Sequence, residues 1–303
     1  MTGNRKIAGA PITWGVSEAP GWGYRVAPAR VLAEMRQIGL SATELGPPGF
    51  LPSAGAELRE MLGAAGLGLA GGFVAVVLHE PSLREAAMVE VRGAAATLAA
   101  GGADMLVLAA ALQADGYDRH DTLSAAGWAA LADSINEVEE IAAEHGLGLA
   151  FHPHVGTAVE KSEEVNKLLE NTNIALCLDT GHLYLGGADV VLLARDAGSR
   201  VRHVHLKDVD AGLAARMRSG DITYKDAVRA GLYRPLGQGD LDMRAVLNEL
   251  DAALYSGWFV LEQDIALDAN PGSGEGPIRS ARQSLEFFRE LHGAERVHQE
   301  ETA

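Results

Sequence analysis

The chain alternates short apolar runs with longer segments whose apolar residues recur at helical spacing, and this alternation occurs eight times. Several of the short runs are continuously apolar, which is typical of parallel strands in a sheet covered by helices. The predicted strands are Lys6–Trp14, Ala42–Leu45, Leu67–Leu78 (interrupted by Gly71-Gly72), Met105–Ala109, Leu147–Phe151, Ile174–Leu178, Val201–Leu206 and Trp258–Leu261. The predicted helices are Pro28–Ile38, Ala56–Ala65, Ser82–Ala100, Ser124–His145, Ser162–Asn171, Val190–Ala197, Met243–Ala253 and Pro277–Leu291.

Eight strand–helix units without a change of composition predict an α/β fold, a single-domain (β/α)8 barrel over residues 1–303. An open doubly wound sheet is the alternative, but it favours a G-x-G-x-x-G loop after the first strand, and none follows here. The connection 207–242 is unusually long and contains a helical piece, Ile222–Ala230. Such a loop at the C-terminal face of a barrel is expected to form a lid or a substrate wall. The polar tail 298–303 is expected to fray.

Charge and composition restrict the partners. The chain has 25 Lys and Arg against 41 Asp and Glu, a net charge of −16, which disfavours nucleic acid and anionic membranes. A single cysteine, Cys177, allows no intrachain disulfide. The segment Met1–Gly9 lacks the apolar core of a secretory signal, and no apolar run is long enough to span a bilayer. We therefore expect a cytoplasmic enzyme.

Four successive predicted strands each end in histidine or acidic residues. The sequences are FHPH at 151–154, LDTGH at 178–182, HVHLKD at 203–208 and LEQD at 261–264. The active site of a (β/α)8 barrel lies at the C-terminal ends of its strands, so these side chains are expected to meet at one rim. Side chains on a strand alternate between its faces, so His152 and His154 point the same way, as do His203 and His205.

These strand ends predict a site for one divalent metal, held by His152, Asp179, His205 and Glu262. Taken singly, Asp179 could cap a turn and Glu262 could pair with an arginine, but such uses do not explain their joint occurrence on four strands. A mixed nitrogen and oxygen set suits Mn²⁺, Mg²⁺, Co²⁺ or Fe²⁺. With no cysteine available as a ligand, a structural zinc site is not expected.

The same segments, with LGQGDLD at 236–242 and VLE at 260–262, resemble the xylose isomerase-like TIM barrel superfamily of sugar isomerases and epimerases. Three further segments are similar to its inosose dehydratase branch: APITWG at 10–15, ATELGP at 42–47 and FHPHVGT at 151–157. Many isomerases and epimerases of the superfamily carry a glutamate ligand where this chain has His152. The segment WGVSE at 14–18 departs from the more polar dehydratase pattern.

The resemblance implies a keto-inositol substrate such as 2-keto-myo-inositol, Mn²⁺ as the expected ion, and dehydration through an enediolate in inositol catabolism. Dehydration removes an α-proton and expels a β-hydroxyl. Glu262, as both metal ligand and base, would remove the proton. His154 and His182 are candidates to protonate the departing hydroxyl, because histidine titrates near neutral pH. A histidine at 152 leaves Glu262 as the carboxylate that serves as both ligand and base, which favours dehydration over epimerisation.

Further residues are expected around the substrate, each with a structural alternative. Lys207 would donate to the developing oxyanion, with Asp208 fixing it, or the two would form a buried ion pair. Glu44 would bind substrate hydroxyls or serve as a structural carboxylate below the rim. Trp14 would form an apolar wall for the substrate ring or belong to the core.

Three other functions compete with the dehydratase. A metal-dependent isomerase or epimerase of the same superfamily would share the metal and the enediolate. A metal-dependent endonuclease would use several metals, and the charge of −16 argues against it. A non-catalytic sugar-binding protein would not need the clustered ligands and Lys207. The sequence also leaves the oligomeric state open, with a homodimer or a homotetramer allowed.

Overall fold

The computed structural model describes residues 5–113 and 116–300, with side chains through Leu291. Eight parallel strands close into one barrel in the order β1-β10-β7-β6-β5-β4-β3-β2. The barrel strands are β1 (Lys6–Gly9), β2 (Ala42–Glu44), β3 (Gly68–Val76), β4 (Met105–Ala110), β5 (Gly148–Phe151), β6 (Leu176–Asp179), β7 (Val201–Leu206) and β10 (Trp258–Leu261). The predicted (β/α)8 barrel is confirmed.

Helices follow the strands and pack around the barrel. They are α1 (Pro28–Ile38), α2 (Gly55–Ala65), α3 (Arg84–Gly101), α4 (Ala125–Glu144), α5 (Ser162–Asn171), α6 (Thr180–Leu185), α7 (Val190–Ala197), α8 (Ala211–Arg218), α9 (Tyr224–Arg229), α10 (Met243–Ala252) and α11 (Pro277–Glu300). Helix α4 begins where Ser124 Oγ accepts a hydrogen bond of 3.1 Å from the Gly127 amide. None of the described helices combines the length and apolar character needed to cross a bilayer.

Most predicted strands differ from the observed ones by one or two residues at their ends, and two differences, in β1 and β3, have a clear physical cause. β1 ends at Gly9 rather than at Trp14, because Pro11 opens a 3₁₀ turn over Pro11–Trp14 and proline cannot donate a ladder hydrogen bond. β3 runs through Gly71 without interruption. A side chain at Gly71 would approach the Met105 carbonyl oxygen to 2.9 Å, so glycine permits the close approach of β4.

Small side chains fill the inside of the barrel below the rim. Ala8, Ala42, Ala70 and Val260 form one buried cluster there. A much larger apolar core lies between the strands and the helices. The narrow interior lets β5, β6, β7 and β10 bring their last residues close together, which positions the site described below.

The connection 207–242 folds into a small unit of its own. Strands β8 (Asp208–Val209) and β9 (Tyr233–Arg234) pair antiparallel around α8 and α9. Helix α9 covers most of the helical piece expected at Ile222–Ala230. Its first residue, Tyr224, is buried and lines the main cavity, so this connection forms part of the wall of that cavity. Of the tail 298–303, residues 298–300 continue α11 and residues 301–303 lie outside the described residues.

Candidate metal centre

Four side chains converge at the C-terminal rim of the barrel, one from each of β5, β6, β7 and β10. His205 Nδ1 lies 3.2 Å from His152 Nε2, 3.2 Å from Glu262 Oε2 and 3.5 Å from Asp179 Oδ2. His152 Nε2 lies 3.4 Å from Asp179 Oδ2. The residues brought together are the four that the strand-end sequences predicted as metal ligands.

Neighbouring hydrogen bonds fix which atoms of these side chains face the centre. His152 Nδ1 donates to the Pro153 carbonyl at 2.9 Å, so Nε2 presents its lone pair. His205 Nε2 donates to Glu44 Oε1 at 3.1 Å, so Nδ1 presents its lone pair. Asp179 Oδ1 accepts the amide of His182 at 2.8 Å, whereas the fully buried Oδ2 has no hydrogen-bond partner among the described residues.

Four electron-pair donors at these separations, with little exposure to water, are stabilised by a positive charge between them. Two imidazole nitrogens and two carboxylate oxygens suit a divalent cation of the Mn²⁺, Fe²⁺ or Zn²⁺ kind. Burial lowers the pKa of His205, but the surrounding acidic groups, among them Glu262 and Glu44, outweigh it and raise that pKa well above its ordinary value. The site therefore attracts a cation, and a divalent metal fits the donors present.

Glu44, at the end of β2, lies beneath the metal ligands. Its Oε1 accepts from His203 Nε2 at 2.8 Å and from His205 Nε2 at 3.1 Å. Burial raises the pKa of Glu44, but His205 and His203 outweigh it and hold that pKa far below its ordinary value. The carboxylate borders the cavity, but its hydrogen bonds orient His205. This arrangement corresponds to the alternative in which Glu44 is a structural carboxylate below the rim.

Lys207 is buried beside the four donors. Its Nζ lies 2.9 Å from Glu262 Oε2, 3.2 Å from Asp179 Oδ2 and 3.0 Å from Asp264 Oδ1. Burial lowers the pKa of Lys207, but the three carboxylates outweigh it and raise that pKa well above its usual range. The ammonium is therefore charged and points into the cavity.

Asp208 lies on the opposite side of the strand, and the expectation that it binds substrate or pairs with Lys207 is wrong. Its carboxylate accepts backbone amides of Val209 at 3.0 Å, Gly237 at 2.8 Å, Gly239 at 3.0 Å and Leu241 at 3.1 Å. Successive residues of an extended chain point to opposite sides, so Lys207 and Asp208, which directly follow β7, face different sides. Asp208 instead anchors the segment 236–241.

Trp14 does not form a wall of the cavity, so the expectation that it contacts the substrate is wrong. It is fully buried in the core between the barrel and the helices. Its Nε1 donates to Glu34 Oε2 at 2.7 Å, which ties the 3₁₀ turn to α1. In a strand that continued to Trp14, the indole would have faced the barrel interior as Ala8 does, but the 3₁₀ turn that begins at Pro11 places it in the core between the barrel and the helices.

His154 and His182 stack on each other, with ring centroids 3.7 Å apart. His154 Nδ1 donates to the Val155 carbonyl at 2.7 Å, and His182 Nε2 lies 2.9 Å from Lys207 Nζ. Burial lowers the pKa of His154 to about 3. Burial, with His154 and Lys207 nearby, also holds the pKa of His182 well below its ordinary value. Both imidazoles are therefore neutral near pH 7, and only His154 is among the cavity-lining residues described.

Sequence reasoning missed Asp264 and two tyrosines. Asp264 is buried, lines the cavity, and accepts a 2.9 Å hydrogen bond from the Tyr224 hydroxyl. Tyr117, whose hydroxyl donates to Glu18, lines the same wall. Strand alternation could have found Asp264, because it lies two residues after Glu262. Nothing in the local sequence identifies Tyr117 or Tyr224.

Cys177 also lies next to the centre, which corrects the view that no cysteine is available. It precedes Asp179 by two residues on β6 and therefore faces the barrel interior. Its Sγ lies within 4.8 Å of ligand atoms of His152 and His205. Burial raises the pKa of the thiol to about 11, so the sulfur is protonated near neutral pH.

The cavity next to the four predicted metal ligands has a volume of about 600 Å³. His152, His205 and Glu262 form part of its floor, with Lys207 and Asp264 beside them. Among the described lining residues, Lys207 is the only Lys or Arg. The cavity can therefore hold a ligand rich in hydroxyl groups against a charged floor, and it offers little to an anionic ligand.

Comparisons with known proteins agree with this geometry. The family model for xylose isomerase-like TIM barrels matches residues 32–291. The chain is 31% identical over 300 residues to the inosose dehydratase of Geobacillus thermodenitrificans (strain NG80-2), covering 95% of this chain and 97% of the relative. It is 35% identical over 271 residues to the rhizopine catabolism protein MocC of Rhizobium meliloti, covering 86% of this chain and 81% of that protein.

Solved structures share the fold at lower sequence identity. An L-ribulose 3-epimerase superposes with a TM-score of 0.71 at 18% identity, covering 99% of both chains. The IOLI protein with a bound zinc atom superposes with a TM-score of 0.67 at 15% identity, covering 94% of this chain and 97% of that chain. Together with the strand-end ligands, the matches show that this chain belongs to the xylose isomerase-like TIM barrel family.

Proposed function

We propose that this protein is a metal-dependent carbon–oxygen lyase that eliminates water from a keto-inositol such as 2-keto-myo-inositol. Relatives named inosose dehydratase, about 30% identical over most of the chain, support this reading. The metal is proposed to bind at His152, Asp179, His205 and Glu262, with Mn²⁺ as the resident ion. The single cysteine and the acidic surface support a cytoplasmic enzyme, and we propose a homodimer or a homotetramer.

One observation favours dehydration over epimerisation: the two cavity-lining carboxylates that contact Lys207 come from one strand end, whereas Glu44, which also lines the cavity, is engaged by His203 and His205. Glu262 and Asp264 follow the same strand and share contacts with Lys207. Asp179 is fully buried below them, and the fourth donor is a histidine, His152. Inverting a carbon centre needs acid/base groups on both of its faces, whereas an elimination needs one base and one acid.

Glu262 is the proposed base. A bound divalent cation would act as a Lewis acid that stabilises negative charge on the ketone oxygen. The carboxylate of Glu262 would take the α-proton, and the electrons of the broken C–H bond would form the enediolate. In the second step the carbonyl would re-form, the electrons of the enediolate would make the double bond between the α- and β-carbons, and the C–O bond to the β-hydroxyl would break. That hydroxyl would leave as water with the proton that Glu262 took from the α-carbon.

Lys207 is the proposed donor of hydrogen bonds to the ketone oxygen and the leaving hydroxyl, because its raised pKa suits it to stabilise negative charge there while it keeps its own proton. Its ammonium is held charged among Asp179, Glu262 and Asp264. His154 is poorly suited to the role first assigned to it, because it is neutral and its Nδ1 hydrogen is bound to Val155. Its free Nε2 can accept a substrate hydroxyl.

His182 supports Lys207 rather than acting on the substrate. Its Nε2 is 2.9 Å from Lys207 Nζ, and its low pKa keeps it able to accept that hydrogen bond. Asp264, positioned by Tyr224, can accept hydrogen bonds from further substrate hydroxyls. In this arrangement His154 and Asp264 accept hydrogen bonds from the hydroxyl groups of a polyol, and the ammonium of Lys207 donates to its oxygens.

The charges favour a neutral substrate over a phosphorylated or carboxylated one. Lys207 is surrounded by three carboxylates, and no second Lys or Arg is found among the described cavity residues. Phosphate and carboxylate groups are usually bound by arginine or by several cations. A keto-inositol carries hydroxyl and ketone groups only, so it fits this lining.

The test is incubation of the Mn²⁺-loaded enzyme with 2-keto-myo-inositol, followed by mass analysis and ultraviolet spectroscopy. A dehydratase gives a product lighter by one water, a diketone whose enol form absorbs in the ultraviolet. An isomerase or epimerase, the second candidate, conserves the mass. Turnover without loss of water would refute the dehydratase proposal, and absence of any turnover would refute both.

A further inference from the structure

The main cavity continues beyond the charged floor into an apolar arm. We define the apolar arm by Pro47, Pro48, Leu51, Val74, Ala94 and Leu98, which line the same cavity as Glu262 and Lys207. It lies between the β2–α2 loop, the end of β3 and the face of α3. Apart from Ser53 in the loop and Glu90 and Thr97 on α3, this end of the cavity is lined by apolar residues and glycine, whereas the histidines, Lys207, Glu262 and Asp264 lie at the other end.

The arm exists because β2 is much shorter than β3. β2 ends at Glu44, which pairs with Gly71, and the Leu45 amide makes the next hydrogen bond, to the Gly71 carbonyl at 3.0 Å. The chain then turns away at Gly46, which has a φ of 73°. Within the described residues, no ladder pair joins the two strands beyond this point, so the wall of the barrel opens sideways.

Small residues on α3 keep the arm open. Gly93 lines the cavity, and a Cβ atom built there would meet nothing within 4 Å. At the inner end, by contrast, a Cβ on Gly72 would lie 2.7 Å from Leu98 Cδ2, so the arm is closed toward the core. Val89, at the outer edge of the same face, is 68% exposed.

The chemistry of the arm does not match an unsubstituted polyol. An inositol ring carries an oxygen on every carbon, and burying hydroxyl groups against prolines and aliphatic side chains loses their hydrogen bonds to water. The Thr97 hydroxyl, near the outer edge, already donates to the Gly93 carbonyl at 3.0 Å. The apolar arm therefore favours the binding of apolar groups, whereas the charged floor favours the binding of hydroxyl and ketone groups.

The geometry points to a substrate that carries an apolar substituent: the polyhydroxylated ketone ring lies on the charged floor, and an O-linked alkyl or aryl group lies in the apolar arm. This inference rests on the proposed function, whose substrate class it narrows. Continuity of the two parts in one cavity of about 600 Å³ supports it, because ligand pockets of about 300–1,000 Å³ hold molecules larger than a single sugar-sized ring. Each buried methylene contributes roughly a fourfold gain in affinity.

The experiment compares 2-keto-myo-inositol with a series alkylated at one hydroxyl, each position in turn, with methyl, propyl and butyl groups. For the best position, kcat/KM should rise along the series to at least about tenfold above the parent. Gly93→Phe fills the arm and should abolish the preference for the butyl compound over the parent. Gly63→Phe is the matched control, since Gly63 is an exposed helical glycine with open space around it, and it should keep the preference.

Three outcomes overturn the inference. Equal or lower kcat/KM for every alkylated compound in the wild-type enzyme would show that the arm takes no substituent. A preference that survives Gly93→Phe would place the substituent elsewhere. Conversion of an oligomer to a monomer by Gly93→Phe alone, seen by analytical ultracentrifugation, would make the arm an interface between copies. If 2-keto-myo-inositol and all its alkylated forms are inert, the proposed function itself is refuted. The three outcomes above refute only the inference about the apolar arm.

Discussion

The two halves of the barrel rim differ sharply in chemistry. The half formed by β5, β6, β7 and β10 carries the histidines, the lysine and three of the carboxylates, each held by at least one neighbouring hydrogen bond or ion pair. The half formed by β1 to β4 contributes mainly Phe73, Val74 and Ala75 and the proline-rich loop after β2, and its carboxylate Glu44 is engaged by histidines of β7. The first half fixes polar atoms to within hydrogen-bonding distance, and the second sets the shape of the space. The proposed reaction and the proposed selection of a substituted substrate therefore depend on different parts of the rim.

Removing the metal should have the largest effect on activity. It should alter only the half of the rim formed by β5, β6, β7 and β10. Charge stabilisation by a bound cation contributes several kcal/mol, so dialysis against a chelator should lower kcat by at least about a thousandfold. Adding Mn²⁺ back should restore the rate. Unchanged turnover in protein shown by elemental analysis to contain no metal would contradict the assignment.

Glu262→Gln should come next. The amide keeps the shape of the side chain but cannot take a proton, so kcat should fall by about 10²–10⁴-fold while the melting temperature stays close to that of the wild type. Glu139→Gln on the exposed face of α4 is the control and should be indistinguishable from wild type. A near-wild-type kcat for Glu262→Gln would remove this residue from the role of base.

Glu44→Gln crosses the boundary between the halves, because Glu44 belongs to β2 but orients a ligand on β7. Loss of the charged acceptor frees the tautomer of His205, so affinity for Mn²⁺ should fall by about 10- to 100-fold. The measurement is competition with a fluorescent chelator, and saturating Mn²⁺ should recover most of the rate. Unaltered metal affinity, with a defect only in KM, would instead make Glu44 a substrate-binding residue.

Tyr224→Phe should have a smaller effect on catalytic efficiency. It removes the hydrogen bond that positions Asp264, which contributes about 0.5–1.5 kcal/mol, so kcat/KM should fall by about two- to tenfold. Tyr255→Phe is the matched control, since Tyr255 donates to the Trp258 carbonyl away from the cavity, and it should affect stability rather than kcat/KM. Equal effects of the two variants on kcat/KM would argue against a role for Asp264 at the substrate.

Cys177→Ser should have the smallest effect. The thiol is buried and protonated, with its pKa raised to about 11, and Mn²⁺ prefers oxygen and nitrogen donors. Mn²⁺ affinity and kcat should therefore stay within about twofold of wild type. A tenfold loss of Mn²⁺ affinity in a well-folded variant would show that sulfur takes part in the site.

The barrel and its ligands were predictable for different reasons. The strands were found because continuous apolar runs between helical segments repeat eight times, and Glu262 or His205 could be placed because parallel strands end at one rim. The end of β1 was misplaced because Pro11 changes the backbone path within an apolar run. The predicted role of Asp208 at the substrate is wrong because adjacent residues of an extended chain point to opposite sides, and Lys207 is the one that faces the cavity.

The sequence by itself determined the fold class and the identity of the four donors, since periodicity and strand-end position are local properties. Only the tertiary structure decided what surrounds them. Asp264 and Tyr224 meet across 40 positions of sequence, and the apolar arm depends on two strands of unequal length. Such features arise from packing between distant segments, where distances and burial are set by the whole barrel rather than by any one motif.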